Sequence, residues 1–133
     1  PYLVINTKKM NYEKKILEYL KKYKISFICL AGYMKILSKN LIRNYQKKII
    51  NIHPSLLPKF KGLNTFARMI NNKEIKAGCT VHYVNEKLDS GSIIHKKLFF
   101  ISPQDDEKIL KEKTQKLEYR AFPEAIVKVF RNI

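Results

Sequence analysis

Glycine and cysteine are scarce in this sequence, long apolar runs are absent, and acidic residues are heavily outnumbered. No apolar stretch approaches the roughly 18 residues that a membrane-spanning helix needs, and no basic-then-apolar signal pattern opens the chain. A cytoplasmic globule is therefore expected. Cys29 and Cys79 lie in separate apolar runs with no second cysteine or histidine at a metal-ligand spacing, so both are read as buried, reduced thiols and no metal is expected. The four glycines, Gly32, Gly62, Gly78 and Gly91, form no glycine-rich loop after a first strand. A phosphate cradle of the usual α/β kind is thus expected upstream of Pro1, where the chain opens without methionine.

Eleven acidic residues face 27 lysines and arginines, for a net charge of +16. Clustered positive charge would suggest a nucleic-acid partner. The lysines are instead scattered as short pairs such as Lys8-Lys9, Lys21-Lys22 and Lys96-Lys97, a bias that an AT-rich coding sequence also produces. The field they create suits an anionic small molecule.

The apolar positions Tyr12, Ile16, Tyr19, Leu20 and Tyr23 recur at three- and four-residue spacing and predict an amphipathic helix from Asn11 to Tyr23. Ile25 to Leu30 reads as a buried strand, Ser38 as the cap of a short helix, and Lys48 to Ile52 as a second strand. Such a strand–helix–strand unit makes the two strands parallel and places ligands beyond their carboxyl ends, at Ala31–Leu37 and Asn51–Pro58. A third helix is expected over Asn64 to Asn71 and a third strand over Cys79 to Val84. A fourth strand, Ile93 to Ile101, pairs antiparallel with the third across the Asp89-Ser90-Gly91 turn. Asp105, Asp106 and Glu107 favour a helix running to about Tyr119, with Pro123 opening a last one.

Chemistry concentrates in Asn51-Ile52-His53-Pro54-Ser55-Leu56-Leu57-Pro58. Residues two apart on a strand share a face, so Asn51 and His53 leave the strand end together while Ile52 packs on the other side. Pro54 and Pro58 stiffen the loop beyond the strand end. An amide and an imidazole can both donate to a carbonyl becoming an oxyanion, each well-placed donor being worth on the order of 3 to 4 kcal/mol. A protonated imidazole suits that task, which calls for a nearby carboxylate, and Asp89 at a neighbouring turn is the candidate. Taken singly, a histidine beside an asparagine is more often a satisfied turn residue, and Asp-Ser-Gly is a common turn. His82 and His95 stand in strands without a positioned polar companion and are assigned to packing or surface.

The Asn51–Pro58 string resembles the formyltetrahydrofolate-dependent formyltransferase family, together with Ala31-Gly32-Tyr33-Met34-Lys35-Ile36-Leu37 before it and Leu88-Asp89-Ser90-Gly91 after it. Lys61-Gly62-Leu63-Asn64-Thr65 and Gly78-Cys79-Thr80-Val81-His82 make it most similar to the branch that formylates glycinamide ribonucleotide (5'-phosphoribosylglycinamide) in purine biosynthesis. The resemblance implies an α/β, Rossmann-like formyltransferase fold, mostly parallel with an antiparallel edge and flanking helices, its N-terminal strands and phosphate loop missing. Residues 1–133 would be a single catalytic, folate-binding domain, N-terminally incomplete. It implies 10-formyltetrahydrofolate as co-substrate, glycinamide ribonucleotide as acceptor, no metal, no membrane, and it allows a homodimer.

By position, Asn51, His53 and Asp89 match the family's catalytic trio, Asp89 raising the pKa of His53. Met34, Lys35, Ile36 and Leu37 match the segment lining the folate pocket, and Asn85, Glu86, Leu88 and Asp89 the loop over the pteridine, with Asn51 also touching folate. Gln115 and Glu118 match ribonucleotide contacts, and Lys9 falls near a basic folate contact. Lys35 stands where bacterial relatives carry arginine, and Ser92 where a proline is common.

Three other readings stay open. Formyltetrahydrofolate deformylase shares the trio but delivers formyl to water. Methionyl-tRNA formyltransferase shares it too, but its basic loop is not matched by Phe60-Lys61-Gly62-Leu63-Asn64, and no tRNA-binding domain follows Ile133. A lysine-rich RNA-binding module would bind RNA with steep salt dependence and be indifferent to His53.

Overall fold

In the computed structural model, which describes residues 2–131, four strands form one sheet in the order β1-β2-β3-β4. The chain runs α1 (Tyr12–Lys22), β1 (Ile28–Leu30), α2 (Lys39–Asn44), β2 (Ile49–His53), α3 (Thr65–Asn71), β3 (Lys76–Tyr83), β4 (Ile93–Phe100) and α4 (Glu107–Arg131). Pro1 and Ile133, the expected domain limits, lie outside the described residues.

β1 and β2 pair in parallel across the α2 crossover, as expected. β3 pairs antiparallel with both β2 and β4, so the antiparallel part is broader than an edge and the sheet is mixed. Alternation along β2 divides the core. Ile49 joins Leu17, Leu37, Leu41, Ile42 and Tyr45 on the α1/α2 side, whereas Ile50 joins Cys79, Val81, Ala121 and Ala125 under α4. Ile52 packs with this second cluster, leaving Asn51 and His53 on the opposite face.

β1 is shorter than its apolar run suggests. The end of α1 takes the segment first: Lys24 adopts a left-handed conformation (φ 52°) and Ile25 N–H donates to the Leu20 carbonyl, closing the helix and keeping Ile25 out of the sheet. Cys29 is exposed, correcting its assignment as a buried thiol, because on this edge strand only Ile28 and Leu30 face the first core cluster. Cys79 is fully buried, and its thiol is pushed up to about 12 by burial, with the nearby Glu118 carboxyl adding to the effect.

β3 begins at Lys76, earlier than expected, because Lys76, Ala77 and Gly78 pair with Phe100, Phe99 and Leu98. The two expected C-terminal helices are one helix of 25 residues with Pro123 inside it. Pro123 removes one N–H, which strands the carbonyl of Tyr119. Tyr119 is well exposed, so water can satisfy that carbonyl, while Ala121, Ala125 and Val129 hold the helix on the sheet. Among the described residues no helix is long and apolar enough to cross a membrane.

Candidate active site

The carboxyl ends of β1 and β2 open onto a cleft of about 540 Å³, within the range of small-molecule sites. One wall is the segment after β1, with Gly32, Tyr33, Met34 and Lys35. The floor is Asn51, Ile52, His53 and Pro54, and α4 closes the far side.

The loop after β2 is held from beneath. Thr80, fully buried on β3 and paired in register with His53, donates its hydroxyl to the Ser55 carbonyl at 2.7 Å and accepts from Leu57 N–H at 3.0 Å. Ser55 Oγ donates to the Lys59 carbonyl at 2.6 Å, and the Leu57–Pro58 peptide is cis. A loop with its polar groups satisfied in this way presents His53 in one orientation.

His53 is buried. Its Nε2 donates to the Phe60 carbonyl at 2.8 Å, and its Nδ1 stands 3.3 Å from Asp89 Oδ2. The Phe60 bond consumes one ring nitrogen, so the edge left for chemistry is the one shared with Asp89. Asp89 sits in the left-handed region (φ 45°), which aspartate tolerates in tight turns. Its Oδ2 also accepts from Gly62 N–H at 2.9 Å, and Lys61 Nζ donates to Ser90 Oγ, so the loops after β2 and β3 are tied together over the trio.

His82 corrects its assignment to packing. The β2–β3 register sets it opposite Asn51, and the ring lies 3.5 Å from Asn51 Nδ2 and 3.6 Å from Asp89 Oδ1. Burial holds its pKa below the ordinary histidine value despite the carboxylate. Because Nδ1 donates to the Tyr83 carbonyl at 2.9 Å, the neutral ring offers its Nε2 lone pair to the Asn51 amide. That contact turns the Asn51 NH2 group toward the ring and leaves its second N–H for a ligand. His95 also has companions. Its Nε2 meets Glu124 Oε2 at 2.7 Å and its Nδ1 meets Lys128 Nζ at 2.8 Å, a surface tie between β4 and α4 remote from the cleft.

The remaining expected site residues divide. Met34, Lys35, Leu88, Gln115 and Glu118 line the cleft with the trio. Leu37 does not, because it is buried in the α1/α2 core, and Ile36 is exposed outside the cleft. Glu86 reaches Lys39 and Arg43 on the surface, and Asn85 Oδ1 accepts from Lys87 N–H, shaping its own turn. Lys9 is exposed and also outside the cleft. Burial raises the pKa of Glu118. Phe66, Lys111 and Thr114 line the cleft without having been singled out in the sequence, and so do Thr65 and Glu107, which were read there only as part of a motif and of a helix start. For the α4 members a signal existed, since Glu107, Lys111, Thr114, Gln115 and Glu118 follow the helical repeat of one face. Among the described residues no group of three or more histidine, cysteine or acidic side chains could hold a metal ion.

A family model described as formyl transferase matches residues 5–126. A phosphoribosylglycinamide formyltransferase of Haemophilus influenzae is 42% identical over 106 residues, covering 80% of this chain and 50% of that protein. The trifunctional purine biosynthetic protein adenosine-3 of Drosophila pseudoobscura is 44% identical over 115 residues, which are 86% of this chain and 8% of that protein. Among solved structures, a phosphoribosylglycinamide formyltransferase from Anaplasma phagocytophilum superimposes with a TM-score of 0.93 at 33% identity, covering 99% of this chain and 64% of the other. The chain thus spans half the length of the Haemophilus relative and a small part of the trifunctional one.

Proposed function

Because the chain belongs to the formyl transferase family, we propose that it forms the folate-binding and catalytic part of an enzyme that moves the formyl group of 10-formyltetrahydrofolate onto the amine of glycinamide ribonucleotide, in the cytoplasm. The observation that carries this reading is the convergence of Asn51, His53 and Asp89 in one cleft, with His53 Nδ1 3.3 Å from Asp89 Oδ2.

In this reading the amine lone pair attacks the formyl carbon. A C–N bond forms as the carbonyl π pair moves onto oxygen, which the Asn51 amide and the His53 ring stabilise as it becomes anionic. The nitrogen gives up a proton toward the His53–Asp89 pair. The oxyanion then collapses, the bond to the folate nitrogen breaks, and that nitrogen takes a proton as it leaves. No acyl-enzyme is needed. Met34, Lys35 and Leu88 would contact the folate, and Gln115 and Glu118 on the α4 wall would contact the ribonucleotide.

Tetrahydrofolate release by the full-length protein, followed with and without glycinamide ribonucleotide, tests the proposal. Release that depends on the ribonucleotide is expected. Equal release into water would make the enzyme a deformylase.

A further inference from the structure

The Phe60 carbonyl that turns His53 and the Gly62 N–H that holds Asp89 belong to one short segment, residues 60–64, between β2 and α3. Its backbone is strained. Phe60 (φ 55°), Gly62 (φ 77°) and Asn64 (φ 55°) all lie in the left-handed region. Glycine takes that conformation freely and asparagine tolerates it, but a bulky phenylalanine adopts it only where its surroundings enforce it. The bonds to His53 and Asp89 are what the segment has to position, so the enforcement must come from outside the trio.

Arg68 on α3 supplies it. Its Nη1 donates to the Lys61 carbonyl at 2.7 Å and to the Leu63 carbonyl at 3.2 Å, on either side of Gly62, and its guanidinium carbon lies 5.4 Å from the centre of the Phe60 ring. One planar cation thus grips both carbonyls flanking the residue that binds Asp89 and covers the ring of the residue that binds His53. The helix is a firm base, since Met69 beside it is buried and Arg68 N–H donates to the Asn64 carbonyl at 3.1 Å. Arg68 itself is exposed and outside the cleft, so any part it has in the chemistry is indirect. Resting on the formyl-transfer reading, we propose that Arg68 is a positioning residue: by bracing residues 60–64 from α3, it keeps the Phe60 carbonyl and the Gly62 N–H where they orient His53 and Asp89 for the reaction.

Kinetics and histidine-ring NMR of the full-length protein with Arg68→Met and Arg68→Lys test this. Arg68→Met keeps the apolar stem and removes the fork. It should lower kcat about tenfold with the KM of each substrate nearly unchanged, because the reacting groups are misplaced while the binding walls stand. Arg68→Lys, which keeps the charge without the planar fork, should recover part of that loss. With isotope-labelled histidine, the His53 Nε2–H proton that the Phe60 carbonyl protects in the wild type should exchange faster with water in Arg68→Met. A role in fold stability alone would lower the denaturation midpoint while leaving the kcat of the folded protein and that exchange rate unmoved, and this result would overturn the proposal. A raised KM at constant kcat would overturn it too, by making Arg68 a binding residue. A wild-type protein that transfers no formyl group would defeat the underlying reading instead, and the exchange rate would still decide whether Arg68 holds His53.

Discussion

In the proposed reaction three side chains set the chemistry, Asn51 and His53 on β2 and Asp89 in the turn between β3 and β4, and each is constrained by a neighbour that performs none. His53 is turned by the Phe60 carbonyl, Asp89 is held by Gly62 N–H, and Asn51 is oriented by His82. The last contact depends on a neutral imidazole. Burial keeps the His82 pKa below its ordinary 6.5, so as pH falls below about 6.5 the unfolded chain takes up a proton that the folded one refuses. Stability present above that value is lost as pH drops toward the lower folded pKa. The denaturation midpoint of the wild type should therefore fall more steeply between about pH 7.5 and about pH 5.5 than that of His82→Gln. Parallel profiles would show that His82 does not titrate against folding. The meeting of Asn51, His53 and Asp89 was legible in the sequence through strand alternation and a turn aspartate taken together with the family resemblance. The role of His82 was not, since it exists only through the antiparallel register that sets it opposite Asn51.

At the scale of elements, the turn joining β3 to β4 has to deliver Asp89 beneath the loop after β2, and it does so through a very close backbone approach. A Cβ at Gly91 would lie 1.6 Å from the Tyr83 carbonyl oxygen, whereas one at Gly32 would meet nothing within 4 Å. Gly91→Ala should therefore cost on the order of 2 to 4 kcal/mol in urea unfolding, because backbone must move. Gly32→Ala should cost about 1 kcal/mol, from its left-handed φ alone. Equal losses would mean that the turn is not under this constraint. The helices and strands themselves were largely readable from periodicity. The misreadings have tertiary causes: packing of Ala121 and Ala125 on the sheet carries α4 through Pro123, and the closure of α1 takes Ile25 from β1.

At the scale of the whole molecule, the sheet brings together at one end what the sequence keeps far apart. Lys35, His53, Asp89 and Glu118 come from four separate segments and line a single cleft. The net charge of +16 was ambiguous in the sequence because the lysines are scattered. The cleft gives two of them a common address, while others pair with Glu74, Glu124 and Asp105. In the proposed function this end of the sheet transfers formyl groups through His53 and Asp89. Single-turnover transfer to glycinamide ribonucleotide by full-length His53→Ala and Asp89→Asn, alongside their folate affinity, tests it most directly. The account predicts rates lower by about a hundredfold or more with folate affinity nearly intact. Wild-type rates in either variant would contradict it.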